Sequence, residues 1–288
     1  MALRISSLNN PQLKRLKRLH RVDPNHVEFL IEGTHLICEA IQAAWPLTGV
    51  FYTELWATEH RALLDTMPAY LEQFIVDPLW LKQAATTQHP DGAVAIGNLT
   101  GIQGKIFGAD VADDLAGSSL ILATDGIQDP GNAGTLLRSV AALGGNRMFL
   151  SPDSVSPVHP KFLRSTAGQW FRLPPKVSSI VDLATEAKQV GVQIVVAQMN
   201  GEPIWNMDFT KPTMFIVGSE GQGIRESTRR LADSICSVPM AMGVESMNAS
   251  VAGTILLYEA TRQRSASRRA CPNGVELVEA EVRKHSGE

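Results

Sequence analysis

Two kinds of hydrophobic spacing alternate along the 288 residues. Short, near-continuous apolar runs read as buried strands, and apolar residues three and four apart read as helices. Near the start, Pro11 opens a helix that Asn9 or Asn10 can cap, with Leu13, Leu16 and Leu19 at helical spacing. "VEFLIEGTHLICEAIQAA" then predicts a strand, a Glu-Gly turn and a helix. "LTGVFYT" and "EQFIVD" predict strands, "LWLKQAATT" a helix and "GAVAIGNL" a last strand. This alternation predicts a small α/β domain over residues 1–100. Residues 101–118, rich in glycine and aspartate, predict a linker.

From Leu120 the alternation resumes. "SLILATDG" is a strand, and "NAGTLLRSVAALGG" is a helix capped at Asn132 and stopped at Gly144-Gly145. "RMFLS", "VQIVVAQM", "TMFIVGSE" and "SICSVPM" predict strands, and "VDLATEAKQVG" and "IRESTRRLA" predict helices between them. Apolar strands separated by helices predict a mostly parallel sheet with helices on both faces, over residues 119–264. The helix that follows is almost wholly apolar from Val251 to Tyr258. One side is expected on the sheet and the other on a partner subunit. Residues 265–288 read as a charged tail that frays.

Composition adds limits. With 44% hydrophobic residues the chain can fill two cores. A net charge of -3 excludes a polycation, so a nucleic-acid partner needs a local basic patch. Arg4, Lys14, Arg15, Lys17, Arg18 and Arg21 supply one, without an acid among residues 1–22. They form either a solvated basic helix face or an arm that contacts phosphates. Cys38, Cys236 and Cys271 are far apart, which argues against a disulfide framework and suits a reducing cytosol. The histidines have no ligand-like spacing, so no metal is expected. No secretory signal or membrane-length apolar run is present, so a soluble, cytoplasmic protein is expected. Trp45, Phe51, Tyr52, Trp56 and Trp80 read as core.

Three strand-to-loop junctions carry the chemistry, where ligands of open α/β sheets bind. In "DGIQDPGNAGTLLRS", Asn132 is a cap or a site residue, and Arg138 points away from the apolar stripe of Leu136, Val140 and Leu143. "FIVGSEGQGIRES" has the spacing GxxGxG, not the GxGxxG of dinucleotide enzymes, and no P-loop lysine follows. Its Glu220 repels phosphate and favours an uncharged or cationic ligand. "VPMAMGVESMNASVAGTILLYEA" places Glu245, Ser246 and Asn248 before the apolar helix, as caps, ligand contacts or both.

Together these segments resemble the three motifs of the SpoU/TrmH family of SPOUT methyltransferases, in "NAGTLLRS", "VGSEGQGI" and "VPMAMGVESMNASVA" with "YEATRQR" closing the helix. The resemblance implies an α/β fold with a deep trefoil knot in its C-terminal sheet and a homodimer formed through the knot and its final helix. It implies S-adenosylmethionine as cofactor, in a pocket edged by Gln198, Gly218, Gly221, Val238, Met240 and Met247. Asn132, Arg138, Glu220, Ser246 and Asn248 match the family's active-site polar residues. In the family, the position of Arg138 is tied to activation of the ribose hydroxyl. A guanidinium is a poor proton acceptor, so the fitting task for Arg138 is to hold the target phosphate and stabilise the developing alkoxide.

The first hundred residues resemble the substrate-binding domain that precedes many of these enzymes, itself similar to RNA-binding ribosomal proteins. "LIEG", with Glu32 and Gly33, is its recurring element, and Lys14, Arg15, Lys17, Arg18 and Arg21 are its candidate RNA contacts. "HRVDPNHVE", with Asp23 and His26, departs from the more basic run usual there. The implied function is methylation of a ribose 2′-hydroxyl in ribosomal RNA. The alternatives are a transfer-RNA 2′-O-methyltransferase, or a non-catalytic RNA-binding or ribosome-assembly protein.

Overall fold

The computed structural model describes residues 2–21, 27–107, 111–115 and 120–270. Asp23, His26, Cys271, part of the expected linker and the tail beyond residue 270 lie outside the described residues.

The first part runs β1 (Leu3–Arg4), α1 (Pro11–Arg18), β2 (Glu28–Glu32), α2 (Thr34–Gln42), β3 (Leu47–Tyr52), α3 (Glu54–Glu59), α4 (Arg61–Thr66), β4 (Glu72–Ile75), α5 (Pro78–Ala84) and β5 (Ala93–Asn98). Its sheet has the order β1-β4-β3-β5-β2, with β5 antiparallel to both neighbours. Helix α1 begins as its sequence dictates. The Asn10 side chain accepts the Gln12 N–H, Pro11 follows, and Leu13 and Leu16 are buried. The pattern of the sequence did not reveal α3 and α4, although Thr53 caps α3 through the Trp56 N–H. Trp45, Phe51, Tyr52 and Trp56 are buried, as expected of core aromatics.

The second part runs α6 (Gly104–Phe107), α7 (Ala112–Leu115), β6 (Leu120–Asp125), α8 (Pro130–Ala142), β7 (Arg147–Leu150), α9 (Pro160–Ser165), β8 (Lys176–Val177), α10 (Ile180–Gln189), β9 (Gln193–Pro203), β10 (Thr213–Gly218), α11 (Glu226–Arg229), β11 (Ser234–Ser237) and α12 (Ala249–Ala270). The sheet order is β11-β9-β10-β6-β7-β8, and every pairing is parallel. Helices α8 and α12 pack together, and Gly253 makes the approach possible: a Cβ there would lie 2.5 Å from the Leu136 side chain. No helix among the described residues is long and apolar enough to cross a membrane.

Three expectations are corrected. Asp129, not Asn132, caps α8: its carboxylate accepts the Asn132 N–H at 2.9 Å, and Pro130 takes the first turn. That hydrogen bond, with the nearby Lys161, holds the Asp129 carboxyl below its ordinary value. The described part of the stretch read as a linker is packed. Ile106, Val111 and Leu115 are buried, and Asp114 pairs with Arg147 at 2.5 Å and Lys176 at 2.6 Å. The expected tail begins later, because α12 continues to Ala270.

The two parts are joined by a shared core. Trp170 packs on Phe29 and Trp45, with ring centroids 5.2 and 4.6 Å apart, and Phe171 packs on Trp45. Beside them Arg164 of α9 donates to the buried Glu32 carboxylate at 2.6 Å, and the Thr86 N–H donates to its other oxygen at 2.6 Å. Arg172 pairs with Glu39. Arg164→Ala leaves Glu32 buried with a single neutral donor. Breaking a buried pair on one side costs roughly 3–5 kcal/mol, and the partial exposure of Arg164 places this one at the lower end. Urea unfolding is expected to show the lowered midpoint. A wild-type midpoint would show that the pair adds nothing to stability.

Candidate active site

Loops from four parallel strands and the start of α12 meet at the carboxyl end of the second sheet. Gly218 is the last residue of β10 and pairs in register with Asp125, the last of β6. The chain then doubles back. Ser219 and Gly223 exchange backbone hydrogen bonds of 3.2 and 2.9 Å, and Gly223 closes the turn at φ +65°. The segment 238–248 joins the end of β11 to α12, and Val238, Met240, Ser246, Met247 and Asn248 of it line the same cavity as this turn.

These loops enclose a cavity of about 460 Å³. Gln198, Gly218, Gly221, Val238, Met240 and Met247 all line it, and so do Glu220, Ser246 and Asn248. The apolar wall includes residues that the motifs did not single out: Ala197, Val217, Cys236, Ala249 and Ala252. Their small size leaves the space. Cys236 is fully buried, and burial pushes its thiol up to about 12, so it serves as an inert wall and not as a nucleophile.

A chain of side-chain amides crosses the rim. Asn248 caps α12, its Oδ1 accepting the Ser250 N–H at 2.9 Å and the Val251 N–H at 3.3 Å. Only Nδ2 of Asn248 is then left to face Asn132, and it donates to Asn132 Oδ1 at 3.0 Å. Asn132 must therefore turn its own Nδ2 to Glu220, and it donates to Glu220 Oε1. The backbone of α12 thus dictates, through two amides, that Glu220 acts as an acceptor. With Asp129 taking over the cap of α8, both ends of Asn132 are available for this relay.

Arg138 stands apart. It lies on the exposed face of α8, does not line the cavity, and among the described residues makes no hydrogen bond or ion pair. A residue group that the sequence did not flag braces the turn from behind. Asp125, buried at the end of β6, accepts the Arg225 N–H at 3.1 Å and its Nε at 2.5 Å, and Arg225 reaches Asp153 at 3.1 Å. These contacts fix both ends of the 218–225 segment to the sheet. The hydrogen bond to Asp125, the largest influence, keeps the Arg225 guanidinium firmly protonated. The only trace in the sequence is an aspartate at a strand end and an arginine after a glycine-rich turn, too common a pair to stand out.

On the first part, Arg15 turns inward, pairing with Glu28 and donating to Thr48 at 2.9 Å. It is occupied there and drops out of the candidate phosphate contacts. Lys14, Arg18 and Arg21 are exposed, and Lys17 reaches Gln83 of α5 at 3.2 Å.

Residues 119–258 match the SpoU rRNA Methylase family, and residues 10–95 match the MRM3-like substrate binding domain. An uncharacterised tRNA/rRNA methyltransferase of Synechocystis sp. is 33% identical over 91% of this chain and 95% of its own length. The 23S rRNA (uridine(2479)-2′-O)-methyltransferase of Streptomyces viridochromogenes is 31% identical over 84% of this chain and 85% of its own. The crystal structure of the SpoU methyltransferase AviRb from the same organism, in complex with AdoMet, superposes with a TM-score of 0.77 at 28% identity, covering 90% of this chain and 99% of that one. Motifs, fold and relatives agree: the chain belongs to the SpoU rRNA methylase family.

Proposed function

We propose that this protein transfers the methyl group of S-adenosylmethionine to a ribose 2′-hydroxyl of RNA, with ribosomal RNA as substrate. The observation that carries this reading is that two of the motif segments line one cavity and Asn132 of the third is tied to its rim in the Asn248–Asn132–Glu220 relay. The cavity suits the cofactor: it is mostly apolar, of a size usual for small-ligand sites, and edged by a carboxylate that a cation tolerates. Gln198, Gly218, Gly221, Val238, Met240 and Met247 would hold it. The relative with a 23S rRNA activity and the neighbour solved with AdoMet support the same assignment.

When bound, the cofactor supplies an electrophilic methyl on a positively charged sulfur. Transfer of that methyl to the 2′-oxygen would break the carbon–sulfur bond and leave a neutral thioether, with the hydroxyl proton passing to a phosphate oxygen or to water. The task of the protein is alignment. Glu220, oriented by Asn132 and Asn248, and Ser246 on the cavity wall position the ribose. The place of Arg138 on the exposed face of α8, outside the cavity and without a partner among the described residues, suits it to hold the phosphate of the target strand. The basic face of Lys14, Lys17, Arg18 and Arg21 grips RNA at a distance, which divides the labour between a substrate domain over residues 1–100 and a catalytic domain over 119–264.

The protein acts as a homodimer in the cytoplasm. Met199, Trp205, Met242, Val244, Val251 and Tyr258 are exposed, and Trp205 belongs to a turn that packs against α12. Val251 and Tyr258, with the half-buried Ile255 between them, form an apolar stripe along α12 that a second copy would cover. The knot implied by the family resemblance would involve the segment 238–248, which lines the cavity together with the 219–223 turn.

Radiolabelled S-adenosylmethionine tests the reading, with total RNA from cells lacking the gene as substrate, fractionated after reaction. Label is expected in ribosomal RNA. Label in transfer RNA alone would reassign the substrate, and label in neither would overturn the activity. Arg138→Ala is expected to cut transfer by about 10²-fold, the loss that a misplaced substrate brings, with S-adenosylhomocysteine affinity retained. Full activity in that variant would remove Arg138 from the mechanism.

A further inference from the structure

A second cavity, of about 430 Å³, lies against the same glycine-rich turn. Residues 219–223 line both cavities, so the turn is a partition between them. The remaining walls of the second cavity come from Asp125, Gly126 and Gln128 after β6, Asp153 after β7, and Arg225. It therefore also lies beyond the carboxyl ends of neighbouring strands, where ligands of such sheets bind.

We propose that this second cavity holds the base of the nucleotide whose ribose is methylated. The proposal rests on the 2′-O-methylation reading, and its first support is covalent geometry. In a ribonucleotide the base is on C1′ and the reacting hydroxyl on the adjacent C2′, so the base site must border the methyl-donor site. This cavity does, with Glu220 common to both.

The charges decide between base and phosphate. Asp125, Asp153 and Glu220 bring three carboxylates to the walls, and Arg225, which lines the cavity, already pairs with two of them. The surplus of negative charge repels a phosphate and suits a neutral group rich in N–H donors, which is the character of a nucleobase edge. Gln128 supplies the adaptable contact. It is exposed, its Nε2 donates to the Asp153 carbonyl, and among the described residues its Oε1 has no partner. Gly126, at φ +76°, brings this wall close to Asp153, whose Oδ2 would lie 3.4 Å from a Cβ built there. A base enters such a pocket only after leaving its stack, as in other enzymes that act on a single nucleotide.

The test compares wild type, Gln128→Ala and Asp153→Asn on total RNA from cells lacking the gene, and identifies the methylated nucleotide by mass spectrometry. Each variant is expected to lose about tenfold or more in kcat/KM for RNA, within the range of a lost base contact, and to methylate a wider set of bases. S-adenosylhomocysteine affinity and thermal stability are expected to stay at wild-type values in Gln128→Ala, which excludes a folding defect. Wild-type rate and base selectivity in both variants would overturn the proposal while leaving the methylation reading intact. Absence of transfer by the wild type would overturn that reading and the proposal with it.

Discussion

Gly218→Ala is expected to abolish cofactor binding in a chain that still folds. A Cβ at this position would lie 2.3 Å from the carbonyl carbon and oxygen of Gly223 and 2.6 Å from the Ile224 nitrogen. All three are backbone atoms, so no flexible side chain can yield. The Ser219–Gly223 turn closes directly over Gly218, and it must lift to admit a methyl group. Lifting it moves Glu220 away from Asn132 and removes one wall of the cavity. Overpacking of this kind typically costs about 1–3 kcal/mol, and the turn caps the sheet without being part of its core. A ligand at a hundred times its dissociation constant stabilises a protein by about 2.7 kcal/mol. Wild type is expected to show that gain with S-adenosylhomocysteine, and the variant none, at unchanged circular dichroism. An equal gain in the variant would show that the turn is not part of the cofactor site.

Asn132→Asp is expected to lose methyl transfer by at least about 10²-fold and to keep the cofactor. The substitution preserves shape and replaces the one N–H that faces Glu220 by a carboxylate oxygen. Two like charges then meet where a hydrogen bond stood, and Glu220 turns away. The cavity lining does not include Asn132, so S-adenosylhomocysteine should bind as before. Adding Glu220→Gln restores a donor to the pair with the direction reversed. Recovery of activity in the double variant would assign Glu220 to positioning alone. Continued inactivity, with the structure restored, would assign chemistry to its carboxylate. Loss of cofactor binding in the single variant would instead make Asn132 part of the pocket.

The fold was legible wherever a long element carried its own period. The parallel strands β6, β7, β9, β10 and β11 stand where their apolar runs stand in the sequence, because strands buried on both faces have no polar alternation to obscure them. Short elements escaped. Helices α3, α4 and α9 are only six residues long, too few for a period to register. Residues 101–118 read as a linker because glycine and aspartate dominate their composition, while the buried Ile106, Val111 and Leu115 are too sparse to form a pattern. The cap of α8 lies three residues before the one that the sequence suggests, since Asp129 and Asn132 are equally good cap residues and only the position of Pro130 separates them. At the site, the residues that the family resemblance implies lie on the cavity wall, while the small apolar residues Ala197, Cys236 and Ala252 beside them carry no signal of their own. The Asp125–Arg225–Asp153 brace did not, because its members are 100 and 72 residues apart and none has an unusual local spacing.

The aromatic seam between the two parts also orders the birth of the protein. Phe29 and Trp45 are covered by Trp170 and Phe171, which follow much later in the chain. At about 5–20 residues per second, the 125 residues from Trp45 to Trp170 keep the ribosome occupied for roughly 6–25 s. Through that interval the nascent first part presents an uncovered apolar face. Its hydrophobic surface is finished only when the second part arrives. Evolution can therefore vary the exposed basic face of α1 freely, but cannot exchange the first domain for another without rebuilding the seam.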